Sequence, residues 1–169
     1  MKVNAVLISG VYGSGKSSVA AEIAYVLGER GDRYALLDLD FLGWANVGTG
    51  DHEAAFPVML RNLAAVMSNY RQVGITLFVL AYFVRDAGQL TALREVVGEP
   101  MSVVRLEVPL AEIERRLAGD VTTERADDYQ VAVESVASGA GVGIEDVAMR
   151  NDRAVAAVAR DVMRFLAWA

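Results

Sequence analysis

Cysteine is absent, histidine occurs once, as His52, and proline three times in 169 residues. Without thiols the chain has no disulfide, no thiolate metal site and no cysteine nucleophile, which fits a reducing compartment. A single histidine cannot build a multi-histidine metal centre, and no spacing typical of metal ligands occurs. Cations are the minority: Lys and Arg number 16 against 22 Asp and Glu, a formal net charge of −6. Nucleic-acid binding needs clustered cations against phosphate, so no nucleic-acid partner is expected. No apolar run approaches the ~20 residues that cross a bilayer, so no membrane partner is expected either. The opening residues carry one lysine and a short apolar stretch that runs into a glycine loop, not into a small-residue cleavage site. They read as a strand rather than a signal peptide, and a cytoplasmic location is expected. Repeats, low-complexity segments and clear linkers are lacking too, and the length suits one domain over residues 1–169.

What is present is a regular alternation. The continuous apolar run Val3–Ser9 reads as a buried strand of a parallel sheet. The segment after it repeats apolar residues at helical spacing (Val19, Ile23, Val26, Leu27) and has Gly31 as a stop. Further strands are expected over Tyr34–Asp40, Gly74–Phe83, 101–108 and 145–151, with helices between them and a helix closing the chain. Such alternation predicts an α/β fold of three layers, α/β/α, around a five-stranded parallel sheet.

The stretch "GVYGSGKSS", Gly10 to Ser18, stands where the first strand turns into the first helix. Gly10, Gly15, Lys16 and Ser17 match G-x-x-x-x-G-K-[ST] in the strand–loop–helix context that the phosphate loop (P-loop) requires. Glycines let successive backbone N–H groups curl inward around an anion, and the helix start adds its unpaired donors and positive dipole end. Lys16 would reach the β and γ phosphates, and the Ser17 hydroxyl would ligate Mg²⁺. The expected nucleotide-binding residues here are Gly10, Tyr12, Gly13, Ser14, Gly15, Lys16, Ser17 and Ser18, with Ser14 and Ser18 acting through backbone or packing.

A phosphate cradle does not by itself name a reaction, so the carboxylates matter. The most apolar strand, "ITLFVLAYF", has no acid before Asp86, unlike motor-type ATPases, and a guanine-reading N-K-x-D is absent. The acids fall in "LLDLD": Asp38 and Asp40, two residues apart, would share one side of a strand. They sit at the sheet edge where open α/β folds bind ligands. One could hold metal-bound water while the other deprotonates an acceptor hydroxyl.

With "GVYGSGKSS", "LLDLD", the acid-free strand "LFVLAYF" and an arginine-bearing segment before the last strand, the chain resembles the small P-loop kinases of the nucleoside-monophosphate-kinase-like fold. The branch of shikimate, gluconate and adenylylsulfate kinases is the most similar. The resemblance implies strand order 2-3-1-4-5, Asp40 as base or acceptor ligand and Asp38 on the metal side with Ser17. It also implies a short lid over residues 110–140, hinged near Gly119, whose arginines Arg115, Arg116 and Arg125 would meet the developing charge. Of these, Arg116 also stands four residues after Glu112, at the spacing of an ordinary helix ion pair. Asn151 and Arg153, after the last strand, would line the nucleotide base. The acceptor side would draw on Trp44, His52, Arg61, Tyr82 and Arg85. The adenylylsulfate kinases' arginine shortly after D-x-D is absent from "DFLGWAN". The glycines at 139–143 precede a strand and read as a loop.

The expected activity is therefore transfer of the γ-phosphoryl group of ATP, with Mg²⁺, to a hydroxyl of a small metabolite by a monomer or homodimer. Two alternatives stand beside it: a nucleoside or nucleotide kinase, and a nucleotide-binding regulator that has no phosphotransfer.

Overall fold

The computed structural model describes residues 3–45, 52–118 and 125–169, with the backbone alone at 52–54 and 125–126. In chain order the elements are β1 (Ala5–Ser9), α1 (Lys16–Glu29), β2 (Tyr34–Asp38), α2 (Asp40–Gly43), α3 (His52–Gln72) and β3 (Leu77–Ala81). There follow α4 (Ala87–Val97), β4 (Met101–Glu107), α5 (Leu110–Ala118), α6 (Arg125–Ser138), β5 (Val147–Arg150) and α7 (Val155–Phe165). The strands form one sheet in the order β2-β3-β1-β4-β5, and every pairing is parallel. This is the α/β architecture and strand order expected from the sequence.

Side chains of a strand alternate between the two faces of its sheet, and β1 shows why its run is apolar throughout. Val6 and Ile8 pack with Val19, Ile23, Val158 and Val162 from α1 and α7. Ala5 and Leu7 face the other layer, with Leu63 and Met67 from α3 and Leu93 from α4. Truncating one such side chain, Leu63 to Ala for instance, costs about 2–5 kcal/mol. A smaller cluster of Ile113, Leu117 and Ala132 joins α5 to α6 and carries Val11 and Tyr12 of the glycine loop against it. Helix α4 starts where Asp86 accepts a hydrogen bond from the Gln89 backbone and stops at the left-handed Gly98. Among the described residues no helix is long and apolar enough to cross a membrane.

Parallel pairing brings the C-terminal ends of the strands to one edge. There the Tyr82 N–H donates to the Ile8 carbonyl at 3.1 Å and the Leu39 N–H to the Ala81 carbonyl at 3.0 Å. One expectation fails at this edge. The second strand stops at Asp38, not Asp40, because the fully buried Leu39 turns into the core with helical dihedrals. The Asp38 carboxylate then accepts from the Asp40 N–H at 3.3 Å, and Asp40 opens the short α2. The two carboxylates are neighbours through this turn and not through the period of a strand.

Candidate active site

The Gly10–Ser17 loop leaves β1 and caps α1 with Gly15 in a left-handed conformation, φ 89°. Gly13, at φ 74°, precedes it by two residues. Residues alternating between left- and right-handed conformations make a concavity of N–H groups with their carbonyls outward. No side chain fits at Gly15: a Cβ there would lie 2.6 Å from Asn151 Nδ2.

Lys16 is almost fully buried beside this concavity. Its ammonium donates to the Val11 carbonyl at 3.3 Å and lies 5.2 Å from the centre of the Tyr12 ring. Ser17 Oγ donates to Asp38 Oδ2 at 2.6 Å. A hydroxyl and a carboxylate held this close, both next to the loop, suit a hard, oxygen-seeking dication that takes its remaining ligands from phosphate and water. Among the described residues no cluster of three or more His, Asp or Glu forms a metal cage, so a metal here would depend on a bound phosphate. Mg²⁺ fits that donor set.

Around Asp40 the charges converge. Burial pushes its carboxyl above the ordinary aspartate range; Lys16 pulls the other way, and Asp38 and Asp128 push upward again. Burial also pushes the Tyr82 hydroxyl up to about 12, with Asp40 adding to it. Tyr12 is raised by burial, then by Asp40 and Asp128. Phe56 stacks on Tyr82 with ring centres 6.2 Å apart. Arg85 is close enough to lower all three groups. Asp40 is thus a half-buried carboxylate among aromatic walls, with a lysine on the phosphate side.

Several sequence-predicted residues gather here: Lys16, Ser17, Asp38, Asp40, Tyr82 and Arg85. Asp128 was not among them. Its only sequence signal was its place in the acidic first turn of the helix after the arginines. The loop at 139–143 also reaches this side, where the Gly141 N–H donates to the Arg85 carbonyl at 2.7 Å. Trp44 and Arg61 stand apart, exposed, with Trp44 stacked on the exposed Phe41 at 5.6 Å. The side chains of His52 and Arg125, and Gly119 with the rest of 119–124, lie outside the described residues.

On the far side of the loop lies a cavity of about 340 Å³ lined by Gly15, Ser18, Arg115, Arg116, Asn151 and Arg153, among others. Arg153 pairs with Asp161 at its rim. Arg115 grips both oxygens of Glu112, at 2.7 and 2.8 Å. With Arg116 it holds the Glu112 carboxyl down to about 2. The family resemblance assigns Arg116 to the developing charge; in this structure its guanidinium donates to Glu112, to the Gly13 and Ser14 carbonyls and to the Asn151 carbonyl. The Gly13 and Ser14 carbonyls lie on the convex side of the loop, and the Asn151 carbonyl directly follows β5. Asn151 is buried and donates through Nδ2 to the Ser14 carbonyl at 2.7 Å.

No known protein-family model matches the sequence, and no curated protein matches it. Solved structures do match over almost the whole chain. An adenylylsulfate (APS) kinase from Mycobacterium tuberculosis, in complex with AMPPNP and APS, is 21% identical with a TM-score of 0.63, covering 99% of each chain. A gluconokinase from Sinorhizobium meliloti 1021 is 20% identical with a TM-score of 0.68, covering 99% of this chain and 94% of its own. A shikimate kinase from Acinetobacter baumannii, in complex with shikimate, is 14% identical with a TM-score of 0.61, covering 98% and 94%. The chain has the fold of the P-loop, nucleoside-monophosphate-kinase-like proteins.

Proposed function

We propose that the chain is a kinase that moves the γ-phosphoryl group of ATP onto a hydroxyl of a small metabolite. The observation that carries this reading is the chain of contacts Ser17–Asp38–Asp40: the Ser17 hydroxyl donates to the Asp38 carboxylate at 2.6 Å, which accepts from the Asp40 backbone N–H at 3.3 Å, and the half-buried Asp40 carboxyl lies within the field of Lys16. An ATPase needs only the first part of that path. A carboxylate whose proton affinity is raised by burial, set beside the lysine that serves the phosphates, is suited to take a proton from an alcohol.

The roles follow from position. The loop amides and Lys16 hold the triphosphate tail, and Ser17 and Asp38 would hold Mg²⁺. When bound, Mg²⁺ neutralises charge that builds on the phosphate oxygens. Asp40 orients the acceptor hydroxyl and takes its proton as the new oxygen–phosphorus bond forms. The bond to the bridging oxygen breaks, and ADP leaves with that electron pair. Tyr12, Tyr82 and Phe56 wall the acceptor side and keep water from competing. Arg115 and Arg153 line the cavity on the other side of the loop, where a purine would lie. The names of the three structural neighbours, each a kinase of a small metabolite, support the same reading.

The test is a coupled assay for ADP over a panel of hydroxylated metabolites. A kinase shows slow hydrolysis of ATP alone and a steep rise with its acceptor, and Asp40→Ala abolishes the rise while ATP still binds. Binding of ATP with no turnover across the panel points instead to the nucleotide-binding regulator.

A further inference from the structure

The convex side of the phosphate loop is held by two residues that the proposed chemistry leaves unused. Asn151 Nδ2 donates to the Ser14 carbonyl at 2.7 Å. Arg116 Nη1 is shared between the Gly13 and Ser14 carbonyls at 3.4 and 3.3 Å. The two are tied to each other, since Arg116 Nη2 donates to the Asn151 carbonyl at 2.6 Å. Each is also anchored outside the loop. Arg116 Nε is held by Glu112 at 2.8 Å, and the Asn151 N–H donates to the Glu107 carbonyl at the end of β4 at 2.9 Å.

A peptide unit is planar and trans, so its C=O and N–H point in opposite directions. Fixing the Ser14 carbonyl on the convex side therefore fixes the Gly15 N–H on the concave side. Left alone, the peptide between Ser14 and Gly15 could flip at little steric cost, because glycine tolerates both hands of backbone conformation. Each flip would turn a phosphate donor away. The buried Asn151 amide also occupies the space a side chain at position 15 would need, so an asparagine placed there requires a glycine at 15.

We propose that Arg116 and Asn151 are positioning residues that brace the phosphate loop from behind and preset its N–H groups for a polyphosphate. The proposal rests on the nucleotide-binding reading above. It gives Arg116 a task other than stabilising the transition state, and Asn151 a task other than touching the base.

The two kinds of role separate by ligand. Calorimetry would measure Mg·ATP and inorganic triphosphate with Mg²⁺ against the full chain, its Asn151→Ala variant and its Arg116→Lys variant, which keeps the charge. Losing a donor to a buried carbonyl should weaken both ligands alike, by about 5- to 100-fold. If Asn151 reads the base, its variant loses affinity for ATP and keeps it for triphosphate, and the brace is wrong. If Arg116 serves the transition state, both affinities stay and only turnover falls, and the brace is again wrong. A lowered melting temperature with unchanged affinities would reduce both residues to ordinary packing and likewise overturns it. Should Asn151→Ala not fold, Arg116→Lys carries the same comparison from α5. A wild-type chain that binds neither ligand overturns the nucleotide reading itself; wild-type binding with unaltered variants overturns the brace alone.

Discussion

The two ends of the candidate site are built in different ways. On the proposed nucleotide side, backbone groups are set out for binding and side chains hold the backbone: Gly13 and Ser14 are gripped through their carbonyls by Arg116 and Asn151. On the acceptor side, side chains rather than backbone groups line the site. Asp40 and Arg85 act on both Tyr12 and Tyr82, and Asp128 acts on Tyr12 and Asp40, while the exposed Phe41–Trp44 stack stands apart. A phosphate tail has one shape and one charge pattern, which a rigid ring of amides can match. A metabolite's hydroxyls differ from one compound to the next, so its recognition falls to residue types and not to a backbone curl.

That contrast can be broken most sharply at Asp40. Asp40→Ala should lower phosphoryl transfer by about 10²–10⁴-fold while Mg·ATP affinity moves little; initial rates and calorimetry on the same preparation check both. Equal losses in the two would mean the ends are one unit. Next in size is Lys16→Met. Removing a charged hydrogen-bond donor should weaken Mg·ATP by about 10- to 100-fold and leave any acceptor affinity measured without nucleotide unchanged.

A pH series sharpens the comparison further. Asp40 holds its proton above the ordinary aspartate range because of burial, and it must be ionised to act as base. Turnover should fall as pH drops through that raised value, earlier than for a solvated aspartate, while nucleotide binding stays flat over the same interval. Stability should move in the opposite sense. The unfolded chain releases this proton at lower pH than the folded one, so folding takes up a proton between the two values. Stability falls as pH rises through that window, and the cost is fully present above it. Asp40→Asn should accordingly melt slightly higher than wild type at neutral pH and no higher in acid. The smallest effect belongs to Trp44→Ala. An exposed ring stacked on Phe41 should change stability within about 0.5 kcal/mol, and a shift in the acceptor's KM would add it to the acceptor wall.

Much of this was legible in the chain itself. The buried strands announce themselves as apolar runs because both faces of a parallel sheet are covered, and the phosphate loop because few residue types tolerate its backbone. The start of α2 was not legible. It depends on Leu39 finding a place in the core and on Asp38 capping Asp40, which are consequences of packing. Nor was the bracing of the loop. Arg116 lies 102 residues from Ser14 and 35 from Asn151, and its spacing from Glu112 suggested only a helix ion pair, which it does form. Asp128 is a similar case, because a helix turn of acids gives no sign of which one faces inward.

The proposed kinase stands or falls on the backbone amides of Gly13, Gly15, Lys16 and Ser17 gripping a triphosphate. Titrating the ¹⁵N-labelled chain with Mg²⁺ and a non-hydrolysable ATP analogue tests it most directly. Large, saturable shifts of those amides are expected, with small ones at the end of β3. Amides that stay in place at millimolar analogue, or shifts confined to another part of the sheet edge, would contradict it.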